Sequence, residues 1–271
     1  MAEAQYIFDP AWEQERDRMA SGEHLYDQAS QQILDMVGIG DGWECMELGA
    51  GAGSMATWMS ERVAPSGRVI AVDLDTRFVE HLDHPCLEVR QHDIASGPVD
   101  DRKFDLIHAR LLLEHIATRE EVLPQLVDSL KPGGWLVAED IDATEAQFVP
   151  AEKFFEYPLT DIHGPGQMVR AINDVLRPLG IMEMDYGRRL PGELVRCGLE
   201  DVDARAQTHL VRGGSDRAKF SLLMMEFIKD AIIASGVTEE DYDFVVDKHH
   251  DPSHYWMSIP LVSAWGRRPA G

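Results

Sequence analysis

The sequence has few basic residues, and this shortage excludes two classes of partner. Only 25 Lys and Arg residues stand against 48 Asp and Glu residues, so the formal net charge is −23 at pH 7. Nucleic acid and anionic membrane surfaces carry dense negative charge and would repel such a chain. We therefore expect no nucleic-acid partner and no membrane partner. Most of the acidic excess is interpreted as a solvated surface that keeps the protein soluble.

Cysteine is also scarce, and the three residues present, Cys45, Cys86 and Cys197, are far apart. An odd and dispersed set forms neither a disulfide framework nor the ligand spacing of a zinc site, so no metal is expected. The first residues lack the basic and apolar regions of a secretory signal, and no run approaches the roughly 18 apolar residues of a membrane span. These absences predict a cytoplasmic protein in a reducing compartment.

Internal repeats, low-complexity tracts and clear linkers are absent as well. A chain of 271 residues with 44% hydrophobic and 27% charged residues can bury a substantial core. We predict a single domain over residues 1–271. Its parts are an N-terminal helical extension (1–40), a ligand-binding core (41–140), an insertion that serves as a substrate lid (141–195) and a segment that completes the sheet (196–271).

What the sequence does contain is a glycine-rich stretch between an apolar run and a helical pattern. Glycines alternate at Gly49, Gly51 and Gly53, after a run that ends at Leu48 and before a helix that begins at Ser54. Glycine is required where the backbone turns sharply and another group approaches closely. The helix N-terminus behind the turn presents unpaired N–H groups and the positive end of a dipole. This strand, turn and helix predict a site for a nucleotide-like or carboxylate-bearing ligand.

Further apolar runs alternate with helical patterns, which is typical of an α/β protein with a parallel, Rossmann-like sheet covered by helices on both faces. Strands are predicted at 68–73, 87–90, 104–108, 135–139, 205–211 and 258–265. Helices are predicted at 12–19, 25–37, 76–82, 111–130 and 220–235, with a turn at 131–134 and an acidic, histidine-bearing loop at 239–255. The aromatic residues before the first strand are expected to pack on the core; the alternative is that Tyr26 and its neighbours cap a ligand.

The segment from 140 to 195 interrupts this alternation. It carries five prolines and an aromatic cluster, Phe148, Phe154, Phe155 and Tyr157, and a helix is predicted at 167–176. An insertion after the carboxyl end of a strand lies over the ligand crevice of an open α/β sheet. We interpret it as a lid or substrate wall; the alternative is a structural crossover that happens to be aromatic.

The ligand of the glycine turn is open to two interpretations. Gly51-Ala-Gly53-Ser-Met-Ala56 matches a relaxed dinucleotide pattern, and Asp73 follows at a strand end, where an acid accepts hydrogen bonds from ribose hydroxyls. Other features favour a cationic adenosine ligand. Glu47 lies at the strand's mouth, where a carboxylate opposes a pyrophosphate but suits an ammonium group. Asp93 and Ile94 follow the third strand and suit an adenine, and the turn itself has no basic residue.

Taken in order, these motifs resemble class I S-adenosylmethionine-dependent methyltransferases over about residues 40 to 140. The resemblance is carried by Glu47-Leu-Gly-Ala-Gly-Ala-Gly53, Val72-Asp73, His92-Asp93-Ile94, Phe104-Asp-Leu-Ile-His108 and Leu130-Lys-Pro-Gly-Gly-Trp135. It implies a seven-stranded, mostly parallel sheet whose last strand is antiparallel, and S-adenosyl-L-methionine as cofactor. The residues it assigns to the methionine part are Glu47, Gly49, Ala50, Gly51 and Gly53, with Asp73 for the ribose and Asp93 and Ile94 for the adenine. It also implies that Leu74 packs on the adenine and that Ala109 and Arg110 lie near the methionyl group.

Within that family, the stretch 104–116 is similar to small-molecule methyltransferases of menaquinone biosynthesis and of bacterial natural products. The resemblance implies in-line methyl transfer to a small, aromatic or hydrophobic acceptor. The Asn/Asp-Pro-Pro-Tyr signature of enzymes that methylate nucleic-acid amino groups is absent. In-line transfer needs mainly alignment, and a base only when the acceptor must lose a proton. The catalytic candidates are His115 and His108 after the fourth strand, with Asp161 and His163 in the insertion as further candidates.

Two other functions share parts of these motifs. A module that binds S-adenosylmethionine without methylating, or a cyclase that uses the sulfonium electrostatically, would keep the same cofactor residues. An NAD(P)-dependent oxidoreductase rests only on the dinucleotide pattern of the glycine turn. A homo-oligomer is compatible with the sequence. His249, His250 and His254 have no defined metal-ligand spacing and are interpreted as part of a solvated loop.

Overall fold

A computed structural model describes residues 14–143, 182–234 and 236–271 of the chain. Its helices are α1 (Glu15–Val37), α2 (Ser54–Val63), α3 (Arg119–Asp128), α4 (Tyr186–Arg196), α5 (Asp216–Phe227), α6 (Lys229–Ala234) and α7 (Glu239–His250). Its strands are β1 (Glu44–Leu48), β2 (Arg68–Asp73), β3 (Leu87–Gln91), β4 (Phe104–Arg110), β5 (Leu130–Ile141), β6 (Glu200–Gln207), β7 (Leu210–Arg212), β8 (Tyr255–Met257) and β9 (Leu261–Arg267). Short 3₁₀ helices, Thr76–Phe78, Ile94–Ser96 and Leu113–His115, follow β2, β3 and β4. The predicted aromatic cluster, the helix at 167–176, Asp161 and His163 lie outside the described residues.

Seven strands form one sheet in the order β3-β2-β1-β4-β5-β9-β6. The first five strands in this order, β3, β2, β1, β4 and β5, pair in parallel, whereas β9 runs antiparallel to both β5 and β6. β7 and β8 form a separate antiparallel pair. The predicted seven-stranded fold with an antiparallel last strand is therefore confirmed. The strand order reverses between β1 and β4, and ligands of open α/β sheets bind beyond the carboxyl ends of strands at such a point.

The central strands bury apolar side chains on both faces of the sheet. Cys45 and Leu106 belong to a core shared with α1 and α2, while Met46 and Ile107 belong to a core shared with α3 and α4. All four side chains are at most 1% exposed. A strand buried on both faces has a near-continuous apolar sequence, which is why β1, β2 and β4 can be recognised without a structure.

The N-terminal extension differs from the prediction of two helices at 12–19 and 25–37. The structure has one helix, α1, which ends at Gly38 with a left-handed φ of 93°. Gly22 lies inside this helix without interrupting it. Its missing Cβ leaves room for the ring of Phe220 in α5, since a Cβ there would lie 3.0 Å from Phe220 Cε2. The glycine therefore permits close helix packing.

Two of the predicted helices are shorter in the structure. The helix at 76–82 is a single 3₁₀ turn, after which the chain turns and places Val79 and Leu82 against the glycine turn. The helix at 111–130 is reduced to a 3₁₀ turn and α3. Leu111, the first residue after β4, has a left-handed φ of 52°, which is incompatible with a continuous helix from that point.

Other boundaries also change. The turn predicted at 131–134 is a bulge within β5, where these four residues lie opposite Asp105 of β4. The loop predicted at 239–255 contains α7, which Thr238 caps by accepting the Asp241 N–H. Its acidic first turn and basic last turn complement the helix dipole. The run at 205–211 overlaps β6 and β7, the run at 220–235 overlaps α5 and α6, and the run at 258–265 overlaps β9.

Gly53 precedes α2 in a conformation that a side chain would strain, which leads to a stability prediction. Its φ is 93°, and an added Cβ would clash with Leu82 Cδ1 and lie 3.1 Å from Val79 Cγ1. Gly38 has the same φ of 93° but open space around its missing Cβ. We expect Gly38→Ala to lower the free energy of unfolding by about 1–2 kcal/mol through backbone strain. Gly53→Ala should cost about 1–3 kcal/mol more through overpacking. Urea unfolding of both variants measures the difference, and equal losses would contradict a packing role for Gly53.

Within the described ranges, every helix falls short of the length and apolar character that a membrane crossing requires. All three cysteines lie in these ranges and are free thiols, with Cys45 and Cys86 buried and Cys197 half-buried.

Candidate functional site

A cavity of about 930 Å³ lies at the edge of the sheet where β1, β2 and β4 end. Its walls come from the glycine turn after β1, from the segments that follow β2, β3 and β4, and from one face of α1. Sites for small molecules typically have volumes of about 300–1,000 Å³. The cavity can therefore hold a nucleoside-sized ligand together with a second small molecule.

The glycine turn forms one wall of the cavity. Gly49 and Gly51 have left-handed φ values of 67° and 57°, which glycine adopts without strain. The Gly51 N–H donates to Asp73 Oδ2 at 2.9 Å, so the carboxylate at the end of β2 holds the turn. Burial raises the pKa of the Asp73 carboxyl, and the N–H groups of Gly51, Asp75 and Leu74 oppose that rise. The turn is thus fixed by a carboxylate that itself lines the cavity.

Apolar and acidic side chains follow β2 and β3 at the next part of the wall. Leu74 is 51% exposed, which is unusual for leucine, and it lines the cavity together with Ile94. Asp93 begins the 3₁₀ helix after β3 by accepting the Ala95 N–H at 2.9 Å. Two apolar residues at neighbouring strand ends can hold a flat ring, and an acid beside them can accept from an amino group on it.

Behind the cavity, a buried histidine joins the two carboxylates of neighbouring strands. His108 Nδ1 in β4 lies 2.5 Å from Glu47 Oε2 in β1, and His108 Nε2 lies 3.0 Å from Glu139 Oε2 in β5. The hydroxyls of Ser30 in α1 and Ser263 in β9 donate to the two oxygens of Glu139. His108 and Glu139 are 0% exposed. One imidazole therefore connects three strands, and Glu139 extends the network to α1 and β9.

The two carboxylates determine the charge of His108. Burial alone lowers the pKa of its imidazole, but the charges and hydrogen bonds of Glu47 and Glu139 outweigh burial and raise this pKa to about 9. Burial raises the pKa of Glu139, whereas His108, Arg110 and Ser263 lower it more. At neutral pH His108 is therefore an imidazolium with both N–H groups directed at carboxylates. This geometry gives it the role of holding Glu47 in place and leaves it no lone pair for a reacting proton.

Polar side chains fix α1 over the carboxyl ends of β1 and β4. Arg110 Nη2 donates to Asp27 Oδ1 at 2.8 Å, and Arg110 Nη1 donates to Ser30 Oγ at 2.9 Å. Ser54, at the start of α2, donates from Oγ to Asp27 Oδ1 at 3.0 Å and from its N–H to Glu23 Oε1 at 3.0 Å. Ser54 thus gives its N–H and hydroxyl groups to α1, which covers this side of the cavity.

His115 lines the cavity beside an ion pair from α1. Arg18 donates from Nε and Nη2 to the two carboxylate oxygens of Glu15, each at 2.7 Å. The His115 side chain is 9% exposed, and its Nε2 lies 3.5 Å from Glu114 Oε1. Burial, with the nearby charges of Arg18 and Arg119, lowers the pKa of His115 to about 3. His115 is consequently a neutral imidazole at physiological pH.

A second buried acidic pair lies behind His115. Glu114 in the 3₁₀ helix and Asp140 in β5 are both 1% exposed. Asp140 Oδ1 accepts the N–H groups of Leu112 and Glu114 at 3.1 and 3.4 Å, and Glu114 Oε2 accepts the Ile141 N–H at 3.2 Å. Burial and the charge of Asp140 raise the pKa of Glu114 well above its ordinary value, and burial, with the charge of Glu139, raises the pKa of Asp140 well above its own. Of the pair, Glu114 lines the cavity.

The structure brings most of the predicted site residues together. Those that line the cavity are Glu47, Gly49, Ala50, Gly51, Asp73, Leu74, Asp93, Ile94, Arg110 and His115. Gly53, Ala109 and His108 are not in the lining. Gly53 is buried beneath the turn, Ala109 is 1% exposed in the core, and His108 is enclosed behind Glu47. The ligand contacts and catalytic roles predicted for these residues stay predictions.

The sequence analysis missed the contribution of α1 and of Glu114. The residues of α1 that line the cavity recur at helical spacing: Glu15, Arg18, Met19, Gly22, Glu23 and Tyr26. That spacing was a signal, but the stripe is largely polar and therefore does not resemble a buried helix face. Glu114 gave no separate signal, because the burial of a glutamate cannot be inferred from its neighbours in sequence. Tyr26 packs on the core as expected, at 2% exposure, and also lines the cavity; its capping of a ligand stays a prediction.

The histidines predicted to lie in a solvated C-terminal loop have different surroundings in the structure. His249 lies in the last turn of α7 and His254 follows the helix, and their rings lie 4.5 and 5.5 Å from that of Trp256. His249 Nδ1 lies 2.8 Å from the Val245 carbonyl oxygen, and His250 is exposed. Across residues 14–143, 182–234 and 236–271, no group of three or more His, Cys, Asp or Glu side chains is placed to hold a metal ion.

Comparison with known families adds a second kind of evidence. Residues 12–171, more than half of the chain, match the family profile described as a methyltransferase domain. This range includes the glycine turn, the acidic strand ends and α1, which form a large part of the cavity wall.

Curated relatives match the chain over a shorter range or at lower sequence identity. The methyltransferases str2 and str3 of Strobilurus tenacellus are 32% and 29% identical over 113 residues, which is 42% of this chain. The chain spans less than half of their length, 41% and 40% respectively. The ubiquinone/menaquinone biosynthesis C-methyltransferase UbiE of Saccharophagus degradans is 23% identical over 209 residues, which covers 73% of this chain and 81% of that protein.

Among solved structures, one similar fold is phosphoethanolamine N-methyltransferase 2 of Haemonchus contortus, in complex with phosphomonomethylethanolamine and S-adenosylhomocysteine. The alignment has a TM-score of 0.59 at 13% identity and covers 99% of this chain and 61% of that one. At this level of identity the likeness concerns the fold alone.

Proposed function

The chain belongs to the methyltransferase-domain family, and on that premise we propose that it transfers the methyl group of S-adenosylmethionine to a small, aromatic or hydrophobic metabolite. The observation that carries this proposal is the arrangement of carboxylates around the glycine turn. Glu47, Asp73 and Asp93 follow or end three neighbouring parallel strands and line one cavity. The spacing of acids across strand ends suits an adenosine that carries an ammonium group and a positive sulfur.

The cavity fits this cofactor by its shape and its donor set. Gly49 and Gly51 present bare backbone at left-handed φ, where a ligand can approach closely. Asp73 lies where its carboxylate can accept hydrogen bonds from ribose hydroxyls. Leu74 and Ile94 present apolar surface on which the adenine can pack. When bound, S-adenosylmethionine supplies a methyl group on a positively charged sulfur that is already activated for displacement. The protein's part is to align the acceptor with it and to exclude water.

The acceptor is proposed to be small and uncharged. Both arginines of the described lining are paired with carboxylates of α1, Arg18 with Glu15 and Arg110 with Asp27. These paired arginines therefore contribute little affinity for a polyanion, and the net charge of −23 disfavours binding of nucleic acid. The apolar residues in the wall away from the strand ends are Tyr26, Leu111, Ile141, Met182, Phe220, Met224 and Ile259. Such a surface favours a hydrophobic or aromatic body. The name of the UbiE relative, a C-methyltransferase of quinone biosynthesis, is compatible with this class.

A histidine is one possible general base, and the two candidates from the sequence differ in position. His115 lines the cavity, whereas His108 lies behind Glu47 with both nitrogens on carboxylates. If the general base is a histidine, it is therefore His115. A base is required only for a phenol, an enol or a carbon acid, since a neutral amine already has a free electron pair. We also propose a cytoplasmic location, which the three free thiols support.

The test combines binding with product analysis. We expect the purified protein to bind S-adenosylhomocysteine in isothermal titration calorimetry, and NADH at equal concentration not to displace it. Methyl transfer from S-adenosylmethionine labelled with ¹⁴C in the methyl group is then measured against phenols, naphthoquinols and aryl amines. Labelled product supports the proposal. Absence of binding would refute it, and displacement by NADH would favour the oxidoreductase. Tight binding with no labelled product across the panel would favour the non-methylating module or the cyclase.

A further inference from the structure

We infer that Glu114, supported by Asp140, is the general base that removes a proton from the methyl acceptor. This inference rests on the proposed methyl transfer and names a residue of that site which neither the sequence motifs nor the comparisons assign. Glu114 is buried, yet it lines the cavity, and it lies between β5 and the histidine predicted from sequence. Asp140 does not line the cavity and therefore acts on the reaction only through Glu114.

The hydrogen bonds of the pair indicate that it holds a proton. Asp140 Oδ1 accepts two backbone N–H groups, but Asp140 Oδ2 is buried and has no hydrogen-bond partner among the described residues. Glu114 Oε2 accepts one N–H, from Ile141. Two ionised carboxylates in this enclosure repel each other and lack enough donors, so the pair takes up one proton readily. A carboxylate beside a second buried carboxylate can therefore serve as a proton acceptor.

The groups around Glu114 are compatible with this role. The titratable and charged side chains that act on the pair or on its neighbours are Arg18 and Tyr26 of α1, His115 beside it, Arg119 of α3, Glu139 and Asp140 of β5, and Tyr186 of α4. The Arg119 guanidinium donates to the carbonyl oxygens of Leu113 and Glu114 at 2.9 and 3.1 Å, so its charge lies near the pair but its hydrogen bonds go to the backbone. It moderates the repulsion between the two acids without forming an ion pair with Glu114.

His115 is a weaker base than Glu114 in this setting. A general base is most effective when its pKa is near the working pH. The pKa of His115 is lowered to about 3, because it is buried and faces Arg18 and Arg119. The same burial, together with the charge of Asp140, raises the pKa of Glu114 well above its ordinary value and so makes its carboxylate more basic. One environment therefore disables the imidazole and activates the neighbouring carboxylate.

The reaction step balances without a further reactant. The acceptor's O–H or C–H bond breaks, and its proton passes to a carboxylate oxygen of Glu114. The acceptor's electron pair forms the bond to the methyl carbon, while the carbon–sulfur bond gives its pair to sulfur and leaves a neutral thioether. The negative charge of Asp140 disfavours ionisation of Glu114 and so raises its pKa. The ionised Glu114 is therefore a stronger base.

The test compares Glu114→Gln and Asp140→Asn with Glu120→Gln, which alters a carboxylate of α3 that is 80% exposed. Infrared difference spectra between pH 5 and pH 9 report protonated carboxyl groups without any acceptor. With S-adenosylhomocysteine bound, we expect wild type and Glu120→Gln to show a carboxyl band that disappears as the pH rises, and both pair variants to lack it. Affinity for S-adenosylhomocysteine should change less than about threefold in all variants, since none removes a predicted cofactor contact.

The rate readout uses the acceptor that wild type methylates fastest in the panel above. We expect Glu114→Gln to lower kcat by about 10²–10⁴-fold and to remove the acidic limb of the pH–rate profile. Asp140→Asn should move that limb to lower pH, and His115→Asn should leave its position unchanged. A titrating carboxyl band that persists in Glu114→Gln, or a pH limb that only His115→Asn removes, would overturn the inference. Failure of wild type to bind S-adenosylhomocysteine would instead refute the proposed function itself.

Discussion

Replacement of His108 by leucine is expected to lower the free energy of unfolding by about 3–5 kcal/mol. The substitution removes the imidazolium between Glu47 and Glu139, both of which are nearly or completely buried. Removing one partner leaves the other charges in a low-dielectric interior, where the cost of desolvation is no longer offset. Urea denaturation monitored by tryptophan fluorescence measures the loss. His250→Leu provides the control, since that side chain is exposed and its replacement should change stability by no more than about 0.5 kcal/mol.

The pH dependence of this effect follows from the raised pKa of His108. The folded-state pKa is about 9 against an ordinary value of 6.5, so the folded protein binds the proton more tightly than the unfolded chain. The stabilisation is complete below pH 6.5 and is lost as the pH rises toward 9. The gap in stability between wild type and His108→Leu should therefore narrow across this interval. A gap that is constant from pH 6.5 to 9 would show that His108 is not charged in the folded state.

Replacement of Asp73 by alanine is expected to weaken binding of S-adenosylhomocysteine by about 100-fold or more. The variant loses the proposed acceptor for the ribose hydroxyls and also the bond that holds the Gly51 N–H. Hydrogen bonds to a charged group contribute about 1.5–3 kcal/mol each, and about 1.4 kcal/mol corresponds to a tenfold change in affinity. Isothermal titration calorimetry of both proteins gives the ratio of dissociation constants directly.

Asp41→Ala is the matched control for this measurement. Asp41 is an exposed aspartate before β1 that accepts hydrogen bonds from the Ser66 N–H and hydroxyl, outside the cavity lining. Its replacement should leave affinity for S-adenosylhomocysteine within about twofold, because the two sites share no contacts. If both variants bind equally well, Asp73 does not contact the ligand and the adenosine end of the proposed site is misplaced.

The strands and the fold could be predicted because they depend on local and periodic features. β1, β2 and β4 are short apolar runs, and parallel strands buried on both faces have that sequence. The predicted ligand residues come from the ends of these strands and from the glycine turn, and the sheet brings them to one edge regardless of detail. The predictions that were wrong concern backbone choices that tertiary contacts decide. Gly22 lies within a continuous helix, and the ring of Phe220 packs where its Cβ would be. Leu111 adopts a left-handed φ at the end of β4.

The chemistry of the two histidines could not be predicted from sequence. His108 and His115 are seven residues apart in similar sequence surroundings, yet one is driven to an imidazolium and the other to a neutral ring. The groups responsible come from distant parts of the chain. Two carboxylates of β1 and β5 act on His108, and arginines of α1 and α3 act on His115. A charge state that depends on contacts across such separations can be assigned only when the fold is known.

The network behind the cavity has a consequence for the entropy of binding. A glutamate that is free in solution adopts many rotamers and would lose that freedom on contact with a ligand, at a cost of about 0.5–1.5 kcal/mol. Glu47 is already immobilised by His108, which is itself held by Glu139 and two serine hydroxyls. The ordering of this carboxylate therefore takes place during folding and not during binding. In this sense a histidine that is absent from the cavity wall preorganises Glu47, the residue proposed to contact the ammonium group.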